Sequence, residues 1–462
     1  MPKFYTTTLI NKLVGTSKDN KVIIKNAIGA FGVKGGSLII SLLTMPAYMR
    51  YFDNQQILGL WFTVLSVLSW ILTFDLGIGN GLRNKLVPAL VSKDQNSIKR
   101  YISSAYVAIA SVVILFIFLS IVFFRHIDWN SVFSIPESIV LKSTLNITVS
   151  IIFSGIMLQF LLKLITSILY ALQKSALTNF LSLLTSIIIL VYVYVAKSSN
   201  ISTNLISLAI IHVLAVNIPL LLATIIVFTK ELKGCKPKFK FFEMSYAKSI
   251  MKLGGIFFWV QIIYMLITAT NEFLITWFTS PDMVVEHQIY NKLFTLVGTV
   301  FTLALTPIWS AVTKAFSEQN YMWIKKLYKM LKYMALLAVA CEFAIIPFLQ
   351  FGINIWLGDN AIKVNYFYGL IFAIFGSMII WNGVISSIAN GVGELKTQNI
   401  FFTIGAITKI PIAWALVIML DSWIGVIISN IIAMSLYCLI QPLWINKFLY
   451  KKTLEGNNNV QR

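Results

Sequence analysis

Twelve long apolar runs dominate this 462-residue sequence and decide what it can fold into. Most of them approach or exceed the ~20 residues that an α-helix needs to cross the hydrocarbon core of a bilayer. Strands of a membrane β-barrel are about ten residues long and alternate apolar with polar side chains, a pattern that these runs lack. The sequence therefore predicts an all-α integral membrane protein with 12 transmembrane helices. The runs lie near 25–48, 57–79, 101–124, 146–172, 181–196, 204–229, 253–279, 292–316, 333–358, 365–391, 398–419 and 424–446.

Composition supports this class and excludes others. The chain is 58% hydrophobic and only 12% charged, whereas about a quarter of the residues of a soluble protein are charged. A net charge of +20 would suggest nucleic-acid binding in a soluble chain, but here we interpret it as a signal of topology and expect no nucleic-acid partner. The three cysteines are too far apart for a metal site or a disulfide framework. The N-terminus, with five lysines up to the first run, does not resemble a cleavable signal peptide.

The distribution of positive charge predicts which loops are cytoplasmic. With the N-terminus inside, the inner segments hold 28 of the 37 Lys and Arg residues, and the outer loops, which include Lys292, hold six. Loops rich in Lys and Arg stay on the cytoplasmic side. We therefore predict that both termini are cytoplasmic. One inner segment follows the second run and contains Arg83, Lys85, Lys93, Lys99 and Arg100.

Two internal matches predict a repeated architecture. Ala89-Leu90-Val91-Ser92 with Ile98-Lys99-Arg100 resembles Ala315-Phe316-Ser317 with Ile324-Lys325-Lys326 at a shift of 226. The segment 164–180 resembles 384–400 at a shift of 220. Each match joins equivalent runs, so the repeats are parallel and related by an axis along the membrane normal. The predicted organisation is two six-helix lobes with their substrate cleft between them. The segments are an N-lobe at 1–229, a basic cytoplasmic linker at 230–252, a C-lobe at 253–446 and a cytoplasmic tail at 447–462.

Three lysines are predicted to lie near the bilayer midplane. Lys34, Lys163 and Lys409 are nine to eleven residues from the inner ends of their runs, which is about 14–16 Å at a rise of ~1.5 Å per residue. A charge at this depth is costly, so it usually faces a cavity or a partner. We predict a cationic, substrate-binding cavity. The alternative is that these lysines pair with buried acids or extend to the interface and only hold helices together.

Three acidic residues inside the runs are candidates for ion coupling or gating. Asp75 lies near the inner end of its run, Glu342 near the middle and Glu272 near the outer end. A carboxylate in a membrane helix can bind H⁺ or Na⁺ during counter-transport. Apart from such an ion, the sequence predicts no cofactor, no metal and no catalytic residue.

Several segments resemble one family of polysaccharide exporters. These segments are FDLGIGNGLRNKL at 74–86, TMPAYMRYF at 44–52, YNKLF at 290–294 and TPIWSA at 306–311. They resemble the O-antigen repeat-unit flippases (Wzx type) of the multidrug/oligosaccharidyl-lipid/polysaccharide exporter (MOP) superfamily.

The resemblance implies a fold of two six-helix bundles, as in multidrug and toxic-compound extrusion (MATE) transporters. It also implies a substrate, an oligosaccharide on undecaprenyl diphosphate, which crosses from the cytoplasmic to the periplasmic leaflet of the bacterial inner membrane. Partners would be the lipid bilayer and other membrane proteins of polysaccharide assembly. Only Asp75, in the DLG segment, carries over as a functional residue.

Two other functional classes remain open. An ion-coupled multidrug or organic-cation antiporter of the same superfamily would have the same fold, but its cavity would be dominated by acids. A membrane enzyme, such as a polysaccharide polymerase, would carry a long outer loop with clustered Arg, Asp or His, which this sequence lacks. The sequence therefore favours a flippase and predicts that the chain is not an enzyme.

Overall fold

A computed structural model describes residues 18–72, 77–172, 174–196, 200–317, 319–394 and 396–460. Within these ranges the chain forms sixteen α-helices and no β-strand, so the predicted all-α class is confirmed. The helices are α1 (Lys18–Phe52), α2 (Gln55–Ile71), α3 (Ile78–Val91), α4 (Gln95–Phe123), α5 (Trp129–Val132), α6 (Lys142–Ala171), α7 (Ser175–Val195), α8 (Ile201–Ile226), α9 (Met244–Thr268), α10 (Asn271–Phe278), α11 (Pro281–Ser317), α12 (Tyr321–Ile345), α13 (Leu349–Leu357), α14 (Tyr366–Gly391), α15 (Lys396–Leu420) and α16 (Ile424–Val460).

The long helices have the dimensions of membrane spans. In the described part of the chain, eight helical segments are long and apolar enough to cross a bilayer. Many of their large apolar side chains point outward, for example Ile114, Phe118 and Ile121 on α4. A soluble protein would bury such a surface, whereas lipid solvates it. The chain is thus a multi-pass integral membrane protein.

Polar caps explain why several helices begin before their apolar runs. The side chain of Asp94 accepts hydrogen bonds from the backbone N–H groups of Asn96 and Ser97, so α4 begins at residue 95 rather than near 101. Asn320 accepts from the N–H of Trp323 and starts α12 about twelve residues early. Such caps satisfy donors that the first helical turn leaves free. The helices therefore extend past the hydrocarbon region into their connections.

Two runs that the sequence predicts as continuous helices are divided. The run at 57–79 becomes α2 and α3, and Gly77, which precedes α3, has a left-handed φ of 67°. A glycine adopts this conformation without the steric cost of a Cβ atom. The run at 253–279 becomes α9 and α10, with Ala269 and Thr270 between them. Both breaks contain polar residues, but hydropathy averaged over a whole run did not register them.

Two expected boundaries also differ from the structure. Lys292 was predicted to lie in an outer loop, but α11 begins eleven residues earlier at Pro281, a residue suited to the first turn of a helix. Lys292 therefore lies within the helix, and its Nζ donates to the Ser41 carbonyl of α1 at 2.8 Å. In addition, α9 begins at Met244, inside the predicted linker at 230–252.

The helix boundaries themselves repeat along the chain. α1 ends at Phe52, and α10 ends at Phe278, which is 226 residues later. α2 begins at Gln55, and α11 begins at Pro281, again 226 residues later. The same connection between helices therefore recurs in both halves of the chain.

The helices fall into two groups by chain order, and the groups are in extensive contact with each other. We call α1–α8 the first bundle and α9–α16 the second bundle. α6 packs against most of the long helices of the first bundle, and α14 lies against α11, α12 and α16 of the second. The bundles meet where α2 packs on α10 and α11, and where α9 packs on α3 and α4. One side of the molecule carries the connection between α3 and α4 together with Lys99 and Arg100, and we call it the basic end. We call the other side the opposite end.

Candidate functional site

A cationic cavity of about 200 Å³ lies beside α6 at the edge of the first bundle, where Gln261 of α9 from the second bundle also lines it. Arg83 of α3 and Lys163 of α6 both line it, together with the neutral polar side chains of Asn80 and Gln261. The guanidinium carbon of Arg83 lies 4.9 Å from the ring centre of Tyr170. This cation–π contact orients the guanidinium while leaving its N–H donors available.

Neither of these two cations is neutralised by a described acid. The structure records three ion pairs among the described residues, and neither Arg83 nor Lys163 takes part in one. Among the described residues that line the cavity none is acidic. The described charges that line the cavity are therefore both positive, and they suit an anion.

A second cavity of about 340 Å³ adjoins the cationic one, and both share Lys163 and Thr166. It lies between α6, α7 and α8, and its walls are rich in hydroxyl and amide groups. α7 contributes a hydroxyl stripe at 178, 182, 185 and 186. Residues spaced by three or four positions share one face of a helix, so these side chains enter the cavity together. The stripe consists of Thr178, Ser182, Thr185 and Ser186.

The hydroxyl stripe is compatible with a membrane helix because part of its polarity is satisfied within the protein. The Thr185 hydroxyl donates to the carbonyl of Ala215 on α8 at 2.9 Å, which also ties α7 to α8. A hydroxyl keeps two acceptor lone pairs after donating one bond. The stripe can therefore accept hydrogen bonds from a polar ligand.

Four of the predicted site residues have side chains that the structure describes. Of these four, Lys163 lines both cavities, and Lys409, Glu272 and Glu342 lie elsewhere. Lys34 lies on α1, but its side chain falls outside the described part of the structure, and Asp75 lies outside the described residues altogether. Arg83 and the hydroxyl stripe were not singled out from the sequence. Arg83 was assigned to a basic loop after the second run, and the spacing of the stripe is a signal that could have been used.

Lys409 is held by neutral groups inside the second bundle. Its Nζ donates to the carbonyl of Ile267 at 2.6 Å, to Thr270 Oγ1 at 2.7 Å and to Asn271 Oδ1 at 3.0 Å. Asn271 Oδ1 also accepts from the amide of Asn430 at 2.9 Å. Lys409 is fully buried. The lysine therefore binds α15 to the break between α9 and α10, where backbone carbonyls have lost their helical partners.

Two of the three predicted acids, Glu272 and Glu342, lie in the described part of the structure and occupy different environments. Glu272 of α10 accepts from Ser66 of α2 at 3.0 Å and from the Gln288 amide at 2.7 Å. Glu342 of α12 is fully buried, and neither carboxylate oxygen has a described hydrogen-bond partner. Its carboxylate lies where Gly376 of α14 leaves room, since a Cβ there would come within 2.8 Å of Oε1. Glu272 thus joins the two bundles, whereas Glu342 is enclosed in the second.

The bundles are sealed together at the opposite end. Thr63 of α2 and Thr276 of α10 share a hydrogen bond of 2.7 Å. The carbonyl of Ala269, at the break after α9, accepts from Ser66 at 3.1 Å and from the Trp70 indole at 2.6 Å. We call these contacts, with that of Ser66 to Glu272, the inter-bundle seal.

Gly59 extends the inter-bundle seal to the start of α11. A Cβ atom at this position would overlap the backbone carbonyl of Pro281. Only a residue without a side chain allows two helices to approach this closely. The structure is therefore closed at its opposite end by direct helix-to-helix contact.

Comparison with known proteins places this geometry in context. No family model matches the chain. The chain is 22% identical over 374 residues to a Yersinia pseudotuberculosis protein named "Putative O-antigen export protein", a match that covers 76% of this chain and 80% of that protein. Relatedness at this level is distant but spans most of both sequences.

Solved structures match the fold over nearly the whole chain. An inward-facing multidrug resistance MATE family transporter of the MOP superfamily superposes with a TM-score of 0.68 at 14% identity, covering 92% of this chain and 99% of that one. A MOP superfamily transporter from Pyrococcus furiosus, described as having a binding pocket of reverse polarity, gives 0.62 at 15% identity, covering 96% and 98%.

These matches confirm the predicted MATE-like architecture and the predicted resemblance to O-antigen exporters. The matched proteins are exporters and transporters, in agreement with the prediction that the chain is not an enzyme. The chain is a multi-pass membrane protein with the fold of MATE family transporters of the MOP superfamily, and it is distantly homologous to a protein named "Putative O-antigen export protein".

Proposed function

We propose that this protein is a flippase that moves undecaprenyl-diphosphate-linked oligosaccharide repeat units from the cytoplasmic to the periplasmic leaflet of the bacterial inner membrane. The product would serve the synthesis of O-antigen or another surface polysaccharide. The proposal rests on the two adjoining cavities beside α6, of which one is cationic and the other is lined by hydroxyl groups. The name of the Yersinia relative points in the same direction.

The cationic cavity suits a diphosphate. A diphosphate carries about two negative charges, and transferring them through hydrocarbon without compensation is prohibitive. Arg83 can bind two phosphate oxygens with its planar fork, and Lys163 acts as a mobile point charge. A bidentate arginine and a mobile lysine together allow the diphosphate to be bound and then released. Lys34 is a proposed third cation, from α1.

The neighbouring cavity suits the sugars. Oligosaccharides present many hydroxyl groups, which pair with hydroxyl and amide side chains. The hydroxyl stripe on α7 and Gln159 on α6 supply such groups, and Thr166 and Lys163 border both cavities. A glycan attached to a diphosphate could therefore occupy the second cavity while its phosphates occupy the first.

Transport would proceed by alternating access of two six-helix lobes at 1–229 and 253–446, with twelve spans and both termini in the cytoplasm. In this arrangement the basic end is cytoplasmic and the inter-bundle seal is periplasmic. Opening the seal would break the contacts of Ser66 with Ala269 and Glu272, so Glu272 is a proposed gating residue. Asp75 is proposed to act near the break between α2 and α3. Lys409 could reach cargo only in a conformation that separates it from Thr270 and Asn271.

An ion-coupled multidrug or organic-cation antiporter is the second candidate. The observation that favours it is Glu342, a fully buried acid without a described hydrogen-bond partner, which could bind H⁺ or Na⁺. Such coupling is equally compatible with a flippase. The lining of the first-bundle cavities favours an anionic cargo over an organic cation, because its described charges are positive.

Deletion of the gene tests the proposal directly. We expect the surface polysaccharide to disappear and lipid-linked repeat units to accumulate on the cytoplasmic side, where they resist a membrane-impermeant glycosidase until the cells are permeabilised. Expression of the wild-type chain should reverse both effects. A strain with normal polysaccharide but new sensitivity to organic cations would instead identify an antiporter.

Removing the hydroxyl stripe should separate recognition of the glycan from recognition of the diphosphate. We predict that the variant with Thr178→Val, Ser182→Ala and Thr185→Val, reconstituted in vesicles, flips the oligosaccharide-bearing lipid about tenfold more slowly, because each lost hydrogen bond contributes about 0.5–1.5 kcal/mol. Flipping of bare undecaprenyl diphosphate should be unchanged. The matched control is Ser111→Ala with Ser154→Ala, two exposed hydroxyls that bond within their own helices. Equal slowing of both substrates would contradict a glycan role for the stripe.

A further inference from the structure

The second bundle carries a groove that the proposed function does not use. It lies between α12 and α16 at the basic end, has a volume of about 510 Å³ and is lined by four lysines. Apolar and aromatic side chains, including Met322, Tyr333 and Leu336, complete its walls. The four lysines, which we call the lysine cluster, are Lys325, Lys326, Lys329 and Lys332.

The spacing of the lysine cluster places its charge in the groove. Lys325, Lys329 and Lys332 are separated by four and three residues and so share one helix face. Lys332 Nζ lies 4.8 Å from the ring centre of Tyr328, and Lys325 Nζ lies 5.9 Å from that of Tyr450 on α16. None of the three ion pairs recorded among the described residues involves the cluster. Four like charges thus converge without a recorded acidic partner.

An apolar groove continues from the lysine cluster along the same helix. It also measures about 510 Å³, and Leu336 lines both grooves. Its walls are formed by α12, α14 and α16, with Val339, Phe343 and Trp381 among the lining residues. From Lys332 to Phe343 the helix advances about 16 Å at ~1.5 Å per residue, which matches the ~15 Å hydrocarbon depth of one leaflet.

We propose that this composite groove binds an anionic phospholipid whose headgroup carries two phosphates. The phosphates lie on the lysine cluster, and an acyl chain follows the apolar groove toward Phe343. A soluble phosphate compound would not use the apolar part, and a zwitterionic lipid would leave the four lysines without a net counter-charge. The site is distinct from the first-bundle cavities and does not depend on the proposed cargo.

Native mass spectrometry of the purified protein, titrated with defined lipids, tests this site. We expect retention of diphosphatidylglycerol to exceed that of phosphatidylglycerol and phosphatidylethanolamine. The variant Lys325→Gln, Lys329→Gln, Lys332→Gln should weaken diphosphatidylglycerol binding about tenfold or more, since basic residues at a membrane surface attract anionic headgroups. The matched control is Lys233→Gln, Lys236→Gln, Lys238→Gln, which removes the same charge from exposed positions. Equal loss in both triple variants would overturn a specific site.

A variant in the apolar part tests the acyl-chain component separately. Val339→Trp should fill the groove and weaken binding, whereas Ala340→Trp, at an exposed neighbouring position outside it, should not. Unchanged binding in Val339→Trp would overturn the acyl-chain assignment. Displacement of the phospholipid by equimolar undecaprenyl diphosphate would also overturn the proposal, because the groove would then be a cargo site. Loss of export with intact phospholipid binding would bear on the proposed function alone.

Discussion

Export is expected to be nearly abolished when Arg83 and Lys163 are both replaced by glutamine. These are the described cations of the cationic cavity, and no described acid neutralises them. A hydrogen bond to a charged group contributes about 1.5–3 kcal/mol, so each single variant should lower export about tenfold or more. Polysaccharide at the cell surface and accumulated lipid-linked units would be measured at matched protein abundance.

A double variant with the same loss of charge provides the control. Lys85→Gln with Lys99→Gln removes two cations from the same end of the first bundle, outside the cavity. It should export normally. Lys163→Arg should retain more export than Lys163→Gln because charge is kept. If both double variants lost export equally, net charge or topology rather than the cavity would be responsible.

A disulfide across the inter-bundle seal is expected to stop transport reversibly. The side-chain oxygens of Thr63 and Thr276 lie 2.7 Å apart on different bundles, close enough for Thr63→Cys and Thr276→Cys to pair after a small shift. The background would carry Cys341→Ser, because Cys341 is exposed while Cys235 and Cys438 are buried. Oxidation should reduce export more than tenfold, and a membrane-permeant reductant should restore it.

A disulfide within one bundle controls for the chemistry of oxidation. Thr144 of α6 and Ser202 of α8 share a hydrogen bond of similar length, 2.8 Å, inside the first bundle. Cross-linking Thr144→Cys to Ser202→Cys joins helices that move together in alternating access, so export should continue. Continued export with the Thr63–Thr276 pair fully oxidised would contradict opening at this end.

Sequence reasoning predicted the fold well because its evidence is distributed over many residues. Apolar runs of membrane length and the excess of positive charge in alternate connections each involve dozens of positions. The breaks at Gly77 and at Ala269 were not predictable in this way. A break is decided by backbone conformation at one or two residues, and hydropathy averaged over a run does not register it.

The candidate site was only partly predictable. Lys163 could be identified because a charge inside an apolar run is conspicuous. Arg83 could not, because the same residue type at the edge of a run also signals topology. The partners of Lys409 are Ile267, Thr270 and Asn271, about 140 positions earlier in the chain. Neutral groups at that separation leave no pattern in the sequence, so the packing contacts of Lys409 could be seen only from coordinates.

The contact of Gly59 with Pro281 has a consequence for the proposed alternation between sealed and opened states. Because the glycine fits only while the two backbones touch, any larger residue would raise the free energy of the sealed state and leave an opened state less affected. Replacement at this one position would therefore shift the resting population toward opening at that end. Under the proposed alternating access, the glycine would conversely favour the sealed state at rest and so limit leakage when no cargo is present.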